Sequence, residues 1–255
     1  MMKRDLENYI GVFDSGVGGI SVLKELTRRL PEENFYFIGD SAHAPYGQKS
    51  IKEVQDRTIE MINKLVLRGV KAVVIACNTA TSAAIDLLRN VYPEIPIIGV
   101  EPALKPAVES HHHVLVMATD NTLKLDKFHE LARTYGSNAT IIPCVCNGLA
   151  DILEAGHLDD DVVDNYLKEK LAVHVGHVDS VVLGCTHYPH VKKNILNILG
   201  DIPCYDGGEG TSRQLERKLK EFNLLNTDEK KGDLIFASTR DTEEELSLYE
   251  RIYKA

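Results

Sequence analysis

The sequence has 255 residues, a length that suits one large domain or two compact ones, and we favour two. Its formal net charge is −9 and it has no block of basic residues, which argues against nucleic acid or an anionic membrane surface as a partner. No apolar run approaches the roughly 20 residues of a membrane helix, and the first residues lack the apolar core of a signal peptide. The five cysteines are scattered, as reduced thiols would be. We therefore expect a cytoplasmic protein.

Short apolar runs alternate with longer segments of helical period, which is typical of a doubly wound α/β protein. The predicted strands are residues 9–13, 35–39, 72–76, 95–99, 114–118, 140–144, 180–184 and 234–238. The predicted helices include residues 20–30, 50–68 and 80–90 and the acidic segment from residue 242. Apolar runs of this kind indicate strands that are buried in a parallel sheet.

An approximate internal repeat divides the chain into two halves. AVVIACNTATSAAI and SVVLGCTHYPHVKKNI each contain an apolar strand, a small residue, a cysteine, polar residues and a helix, so Cys77 and Cys185 correspond. The starts of the halves correspond as well and place Asp14 and Thr119 at equivalent strand ends. We predict two similar doubly wound parallel-sheet domains related by a pseudo-twofold axis, with the active site in the cleft between them. The predicted domains are residues 1–96 and 97–205, with residues 206–255 packing back onto the first.

Both corresponding cysteines follow a predicted strand and precede a helix. Ligands gather at this edge of a parallel sheet, and the helix dipole lowers the pKa of a thiol placed there. Two thiols facing each other across a cleft suit racemisation, because a base must remove the α-proton from one face of the carbon and an acid must return a proton to the other. Asp14 can orient Cys77, and His187 can do the same for Cys185.

Six segments match one known family in order. They are GVFDSGVGG (11–19), GDSAHAPYGQKS (39–50), ACNTATSAA (76–84), GVEPALKPA (99–107), EAG (154–156) and GCTHYPH (184–190). Over essentially its whole length the sequence resembles the bacterial glutamate racemases of the aspartate/glutamate racemase family. The resemblance implies interconversion of L- and D-glutamate without a cofactor or metal, and a supply of D-glutamate for peptidoglycan.

The resemblance also implies the residues of the site. The implied catalytic residues are Cys77, Cys185, Asp14, His187 and Glu154. The implied substrate contacts are Ser15, Pro45, Tyr46, Gly47, Asn78, Thr79, Thr119, Thr122 and Thr186. Two positions depart from the family pattern: His43 stands where many relatives are expected to have arginine, and Leu125 where a small polar residue is common. We expect a small-molecule substrate, no nucleic-acid or membrane partner, and a homodimer.

Plainer interpretations exist for several of these residues. A single cysteine at a strand end is usually a core residue, as we interpret Cys144, Cys146 and Cys204. Asp14 can simply cap the helix that follows it. The glycines of GVFDSGVGG do not satisfy the dinucleotide-binding motif, and we interpret them as a close-packed turn beside the substrate.

Three other functions compete with a glutamate racemase. The nearest is another two-thiol racemase, such as one acting on aspartate. A non-enzymatic amino-acid-binding protein would keep the cleft without turnover. A thiol redox protein is disfavoured because the sequence contains no C-x-x-C motif.

Overall fold

Two parallel sheets organise the computed structural model, which describes residues 5–124, 126–135, 139–227 and 230–255, without the side chain of Lys127. The strands of the first sheet are β1 (Tyr9–Asp14), β2 (Asn34–Gly39), β3 (Ala72–Ile75), β4 (Ile97–Gly99) and β9 (Leu234–Ser238). The strands of the second are β5 (His113–Ala118), β6 (Thr140–Val145), β7 (Ser180–Leu183) and β8 (Cys204–Asp206). The spatial orders are β4-β3-β1-β2-β9 and β6-β5-β7-β8.

The two sheets repeat one strand order. The first four strands of the chain occupy the positions in the first sheet that the next four occupy in the second, and β9 extends the first sheet beyond β2. All pairings are parallel. The predicted fold class, two similar doubly wound parallel-sheet domains, is thereby confirmed. β8 was not predicted, because this short strand ends in a polar residue and has no apolar run. Its counterpart in the repeat is β4.

Helices cover both faces of each sheet. They are α1 (Ile20–Arg29), α2 (Ile51–Leu67), α3 (Asn78–Val91), α4 (Leu104–Val108), α5 (Asp120–Lys124), α6 (Asp126–Tyr135), α7 (Leu149–Glu154), α8 (Asp161–Leu171), α9 (Lys192–Leu199), α10 (Gly208–Glu221) and α11 (Glu243–Lys254). On the first sheet, α1, α10 and α11 share one core with the strands, and α2 and α3 share the other. On the second, α7, α8 and α9 cover one face and α4, α5 and α6 the other.

The connections between the sheets bear on where the domains divide. The strand Ile97–Gly99 pairs with β3 in the first sheet, although the sequence places it in the predicted second domain, residues 97–205. The carbonyl of Pro96 accepts a hydrogen bond from the backbone N–H of Val73. Pro96 therefore directly precedes an edge strand, a position that proline tolerates. We propose a division after β4, with the chain returning to the first domain after β8. In the described segments, no helix has both the length and the apolar character needed to cross a membrane.

Candidate active site

One narrow cavity at the carboxyl ends of the strands, between the two domains, contains most of the predicted site. Its volume is only about 10 Å³, and it is lined by Ser15, Pro45, Tyr46, Gly47, Cys77, Asn78, Thr79, Thr119, Ala150, Cys185, Thr186 and His187. Both repeat cysteines face this cavity, Cys77 from the first domain and Cys185 from the second. Among the lining residues, only Ala150 was not predicted, because a small apolar side chain gives no chemical signal in a sequence.

Cys77 lies between β3 and α3 and is the N-cap residue of α3. Its Sγ accepts a hydrogen bond from the backbone N–H of Ala80 at 3.5 Å, and the residue is 6% exposed. Burial raises the pKa of the Cys77 thiol well above its usual range, and repulsion from Asp14 raises it further, while the Ala80 bond opposes both. The expectation of a lowered pKa is therefore wrong for Cys77, because desolvation outweighs the helix terminus.

Asp14, the last residue of β1, lies behind the cavity wall and is fully buried. Its Oδ1 accepts from the backbone N–H of Gly16 at 2.9 Å, and its Oδ2 accepts from the hydroxyl of Thr186 at 3.1 Å. Thr186 belongs to the second domain, so this bond joins the two domains at the site. Burial raises the pKa of Asp14 to about 6, opposed mainly by the positive charge of His187 and by the Gly16 bond.

Cys185, His187 and Glu154 form a chain of contacts in the second domain. Sγ of Cys185 lies 3.6 Å from Nδ1 of His187, and Nε2 of His187 lies 2.6 Å from Oε1 of Glu154. Burial disfavours a charge on His187, but its hydrogen bonds to Cys185 and Glu154 outweigh burial and hold its pKa well above the usual range. Oε1 of Glu154 also accepts from the backbone N–H of Val17 at 3.0 Å, which makes a second link between the domains.

The glycine loop after β1 lets these contacts form. A Cβ on Gly16 would lie 1.8 Å from Oε1 of Glu154, and one on Gly18 would lie 2.4 Å from Nδ1 of His187. Contacts this short are impossible for a Cβ, so the second domain can approach the loop only because these residues have no side chain. The close-packed turn predicted from the sequence is confirmed.

Three threonine hydroxyls meet beside the cavity. Oγ1 of Thr79 in the first domain lies 3.1 Å from that of Thr119 and 3.3 Å from that of Thr122, both in the second domain. Thr122 lies behind the lining residues, and its hydroxyl is 3.0 Å from that of Thr119. Nearby, Oδ1 of Asn78 is buried and has no hydrogen-bond partner among the described residues. The cavity thus offers hydroxyl donors and an unsatisfied amide oxygen, which suit the carboxylates and the ammonium of an amino acid.

Of the two positions that depart from the family pattern, His43 is not among the residues that line the cavity. Nδ1 of His43 lies 2.9 Å from Oδ1 of Asp40, behind the Pro45–Gly47 turn. Leu125 lies outside the described residues. Asp40 was not predicted as a site residue, and its only signal in the sequence is its place within the matching segment GDSAHAPYGQKS.

The substitution Asp14→Asn is expected to have a pH-dependent effect on stability. Because burial raises the pKa of Asp14 from the usual 3.8 to about 6, the native state binds this proton more tightly than the unfolded chain does. The resulting stabilisation is present below about pH 4 and lost as the pH rises through 6, a change of roughly 3 kcal/mol. Urea unfolding should therefore show the variant gaining that amount relative to the wild type between pH 4 and pH 8. A constant difference over this range would contradict the expectation.

The fold agrees with the comparison to known proteins. Residues 10–215 match the family described as Asp/Glu/Hydantoin racemase, and the chain belongs to this family. The glutamate racemase of Clostridium perfringens is 49% identical over 246 residues, 94% of this chain and 95% of that protein. The solved structure of glutamate racemase isoform RacE1 from Bacillus anthracis has a TM-score of 0.88 and 30% identity, covering 97% of this chain and 94% of that one. For Francisella tularensis glutamate racemase in complex with D-glutamate, the TM-score is 0.84 and the identity 30%, covering 98% of this chain and 95% of that one.

Proposed function

We propose that this chain interconverts L- and D-glutamate, with the thiols of Cys77 and Cys185 as paired acid and base. The observation that carries the proposal is that cysteines from corresponding positions of two similar domains line one cavity. The choice of glutamate is supported by the 49% identity to a relative named glutamate racemase and by the D-glutamate bound to the Francisella protein.

In the proposed reaction the substrate lies with one face of its α-carbon toward each thiol. One cysteine, as thiolate, removes the α-proton, and the other, as thiol, protonates the opposite face; the reverse reaction exchanges their roles. Asp14 is assigned to orient Cys77, because its charge acts on that thiol. His187, held by Glu154 at 2.6 Å, exchanges a proton with Cys185.

The substrate carboxylates are held without lysine or arginine, because the residues that line the cavity include no basic side chain except His187. In this proposal, the hydroxyls of the threonine cluster and the backbone amides of the Pro45–Gly47 turn bind them. Each unit of pKa mismatch between a thiol and the α-carbon is worth about 1.36 kcal/mol. Fixed donors in a water-excluding cavity must therefore stabilise the carbanion-like transition state.

Substrate entry requires the two domains to separate. Cys77 is 6% exposed and Cys185 is 9% exposed, so neither thiol is open to glutamate from bulk solvent. Separation breaks the interdomain hydrogen bonds from Thr186 to Asp14 and from Val17 to Glu154, and closure restores them around the substrate. The same contacts that close the cavity thus complete the catalytic arrangement.

Isotope exchange tests the proposal. The purified protein is incubated with each glutamate enantiomer in heavy water, circular dichroism follows the loss of optical activity, and mass spectrometry measures deuterium. We expect the enantiomer formed to carry solvent deuterium at its α-carbon, because each turnover removes one proton and returns another. Loss of optical activity without deuterium uptake contradicts the two-base mechanism, and binding of glutamate without either change contradicts racemase activity.

Parallel reactions with aspartate test the substrate. Faster racemisation of aspartate would favour the alternative of an aspartate racemase. The proposal includes supply of D-glutamate for peptidoglycan, which follows from the family. The homodimer and the cytoplasmic location stay predictions from the sequence.

A further inference from the structure

An ion pair between a buried aspartate and a partly exposed arginine lies behind the Pro45–Gly47 turn, outside the cavity. Asp40 directly follows β2 and is fully buried, and Arg57 reaches it from α2. The guanidinium of Arg57 donates to both carboxylate oxygens of Asp40, over distances of 2.9 to 3.1 Å. Bidentate, charge-assisted geometry of this kind is among the strongest polar contacts that side chains make.

Asp40 in turn holds the turn that lines the cavity. The hydroxyl of Tyr46 donates to Oδ2 of Asp40 at 2.6 Å, and the residue is 1% exposed, with its ring packed against Phe13. The following residue, Gly47, lies so close to Thr119 that a Cβ on it would be 2.6 Å from the threonine methyl group. The position of the Tyr46 hydroxyl therefore fixes a turn that contacts the second domain.

The hydrogen bonds from Arg57 help to keep the carboxyl group of Asp40 ionised. Burial favours the neutral form of Asp40, but hydrogen bonds from Arg57, Tyr46 and His43 outweigh burial and hold the pKa of Asp40 below its usual value. Removing Arg57 leaves the buried carboxylate of Asp40 without its cation, which is unfavourable. Without Arg57 the carboxyl group must take up a proton or draw in water, and its bond to Tyr46 weakens in either case.

We propose that Arg57 is a positioning residue for substrate binding. Through Asp40 and Tyr46 it holds the Pro45–Gly47 turn in the conformation that receives a carboxylate of the amino acid. The inference rests on the proposed function, because it assumes that this cavity binds glutamate. A turn held in this way binds substrate and transition state alike, so its loss raises KM much more than it lowers kcat.

The geometry also predicts that position 43 can supply the same positive charge. Nδ1 of His43 lies 2.9 Å from Oδ1 of Asp40 and 2.7 Å from Nη2 of Arg57. A longer arginine side chain at position 43 can place its guanidinium beside the carboxylate of Asp40, close to the place that the Arg57 guanidinium occupies. The double variant His43→Arg, Arg57→Ala therefore moves the cation from α2 to the loop and keeps Asp40 paired.

Steady-state kinetics of three variants test the inference. Arg57→Ala is expected to raise KM for glutamate at least about tenfold, with a smaller change in kcat, because a charge-assisted contact is lost. The double variant should return KM to within a few-fold of the wild type. The matched control is Arg68→Ala, since Arg68 follows α2 directly but pairs with Asp5 and lies over the ring of Tyr36. Its KM should not change.

A further variant, Tyr46→Phe, tests the link between the ion pair and the turn. Tyr46→Phe removes only the hydroxyl that links the ion pair to the turn, so it should reproduce the rise in KM even if Arg57→Ala does not fold. An unchanged KM in folded Arg57→Ala, or a high KM in a double variant that melts at the wild-type temperature, overturns the inference. A wild-type chain that does not racemise glutamate overturns the proposed function instead. In that case the dissociation constant for glutamate is measured by calorimetry in place of KM, and it is compared among the same variants to test the role of Arg57.

Discussion

Serine in place of either Cys77 or Cys185 is expected to lower kcat/KM for racemisation at least about a thousandfold, because a hydroxyl is a far weaker acid than a thiol and general acid–base catalysis contributes 10²–10⁴-fold. Each variant still has one thiol, so α-hydrogen exchange should persist for one enantiomer only. Cys77→Ser and Cys185→Ser should retain exchange of opposite enantiomers. The measurement is deuterium uptake from heavy water into L- and D-glutamate, alongside circular dichroism.

The matched control for the cysteine variants is Cys204→Ser. Cys204 lies in β8, is only partly buried and is not among the residues that line the cavity. We expect this variant to racemise glutamate at the wild-type rate. Retention of racemase activity in Cys77→Ser or Cys185→Ser would contradict the two-thiol mechanism, as would exchange of the same enantiomer by both.

Alanine in place of Gly18 is expected to lower kcat/KM at least about a hundredfold, because displacing catalytic groups by about 1 Å costs on this order. An added Cβ would lie 2.4 Å from Nδ1 of His187 and 2.6 Å from Oγ1 of Thr186. Both atoms belong to the second domain, so the domains cannot close fully around the substrate. Gly16→Ala should act similarly through Glu154, whose carboxylate would have to leave His187.

Gly210→Ala provides the control for the glycine variants. A Cβ on Gly210 meets no atom within 4 Å, and the residue lies within α10. Alanine there should leave kcat/KM unchanged and raise the free energy of unfolding by up to about 1 kcal/mol, since glycine is a poor helix former. Wild-type activity in a folded Gly18→Ala protein would show that the close approach of His187 to the loop is not needed for catalysis.

Much of the fold could be predicted from the sequence, because the relevant signals are local. Apolar runs gave eight of the strands, since strands buried on both faces of a parallel sheet have no polar alternation. The repeat gave the division into two similar domains. The three-residue strand Cys204–Asp206 was missed because it is too short and polar to form a run. The pairing of Ile97–Gly99 with β3 was not predicted, because the partner of a strand is not visible in the neighbouring residues.

For the candidate site, the sequence by itself determined which residues lie at strand ends. Parallel strands present all their carboxyl ends at one edge, so the two cysteine motifs had to lie at the edges where ligands bind. The family resemblance supplied the residues expected around them, and the structure brings most of these into one cavity. Their catalytic roles stay predictions until the cysteine variants are measured.

Only the tertiary structure decided the electrostatics and the interdomain contacts. The bond from Thr186 to Asp14 joins residues 172 positions apart, and that from Val17 to Glu154 joins residues 137 apart. The raised pKa of Cys77 reflects its burial, and the pairing of Asp40 with Arg57 depends on how α2 packs beside β2. Burial and the distance between remote segments are properties of the packed chain, whereas periodicity and motif order are properties of neighbouring residues. The sequence therefore predicts which residues form the site, and packing determines their charge states and the closure of the cavity.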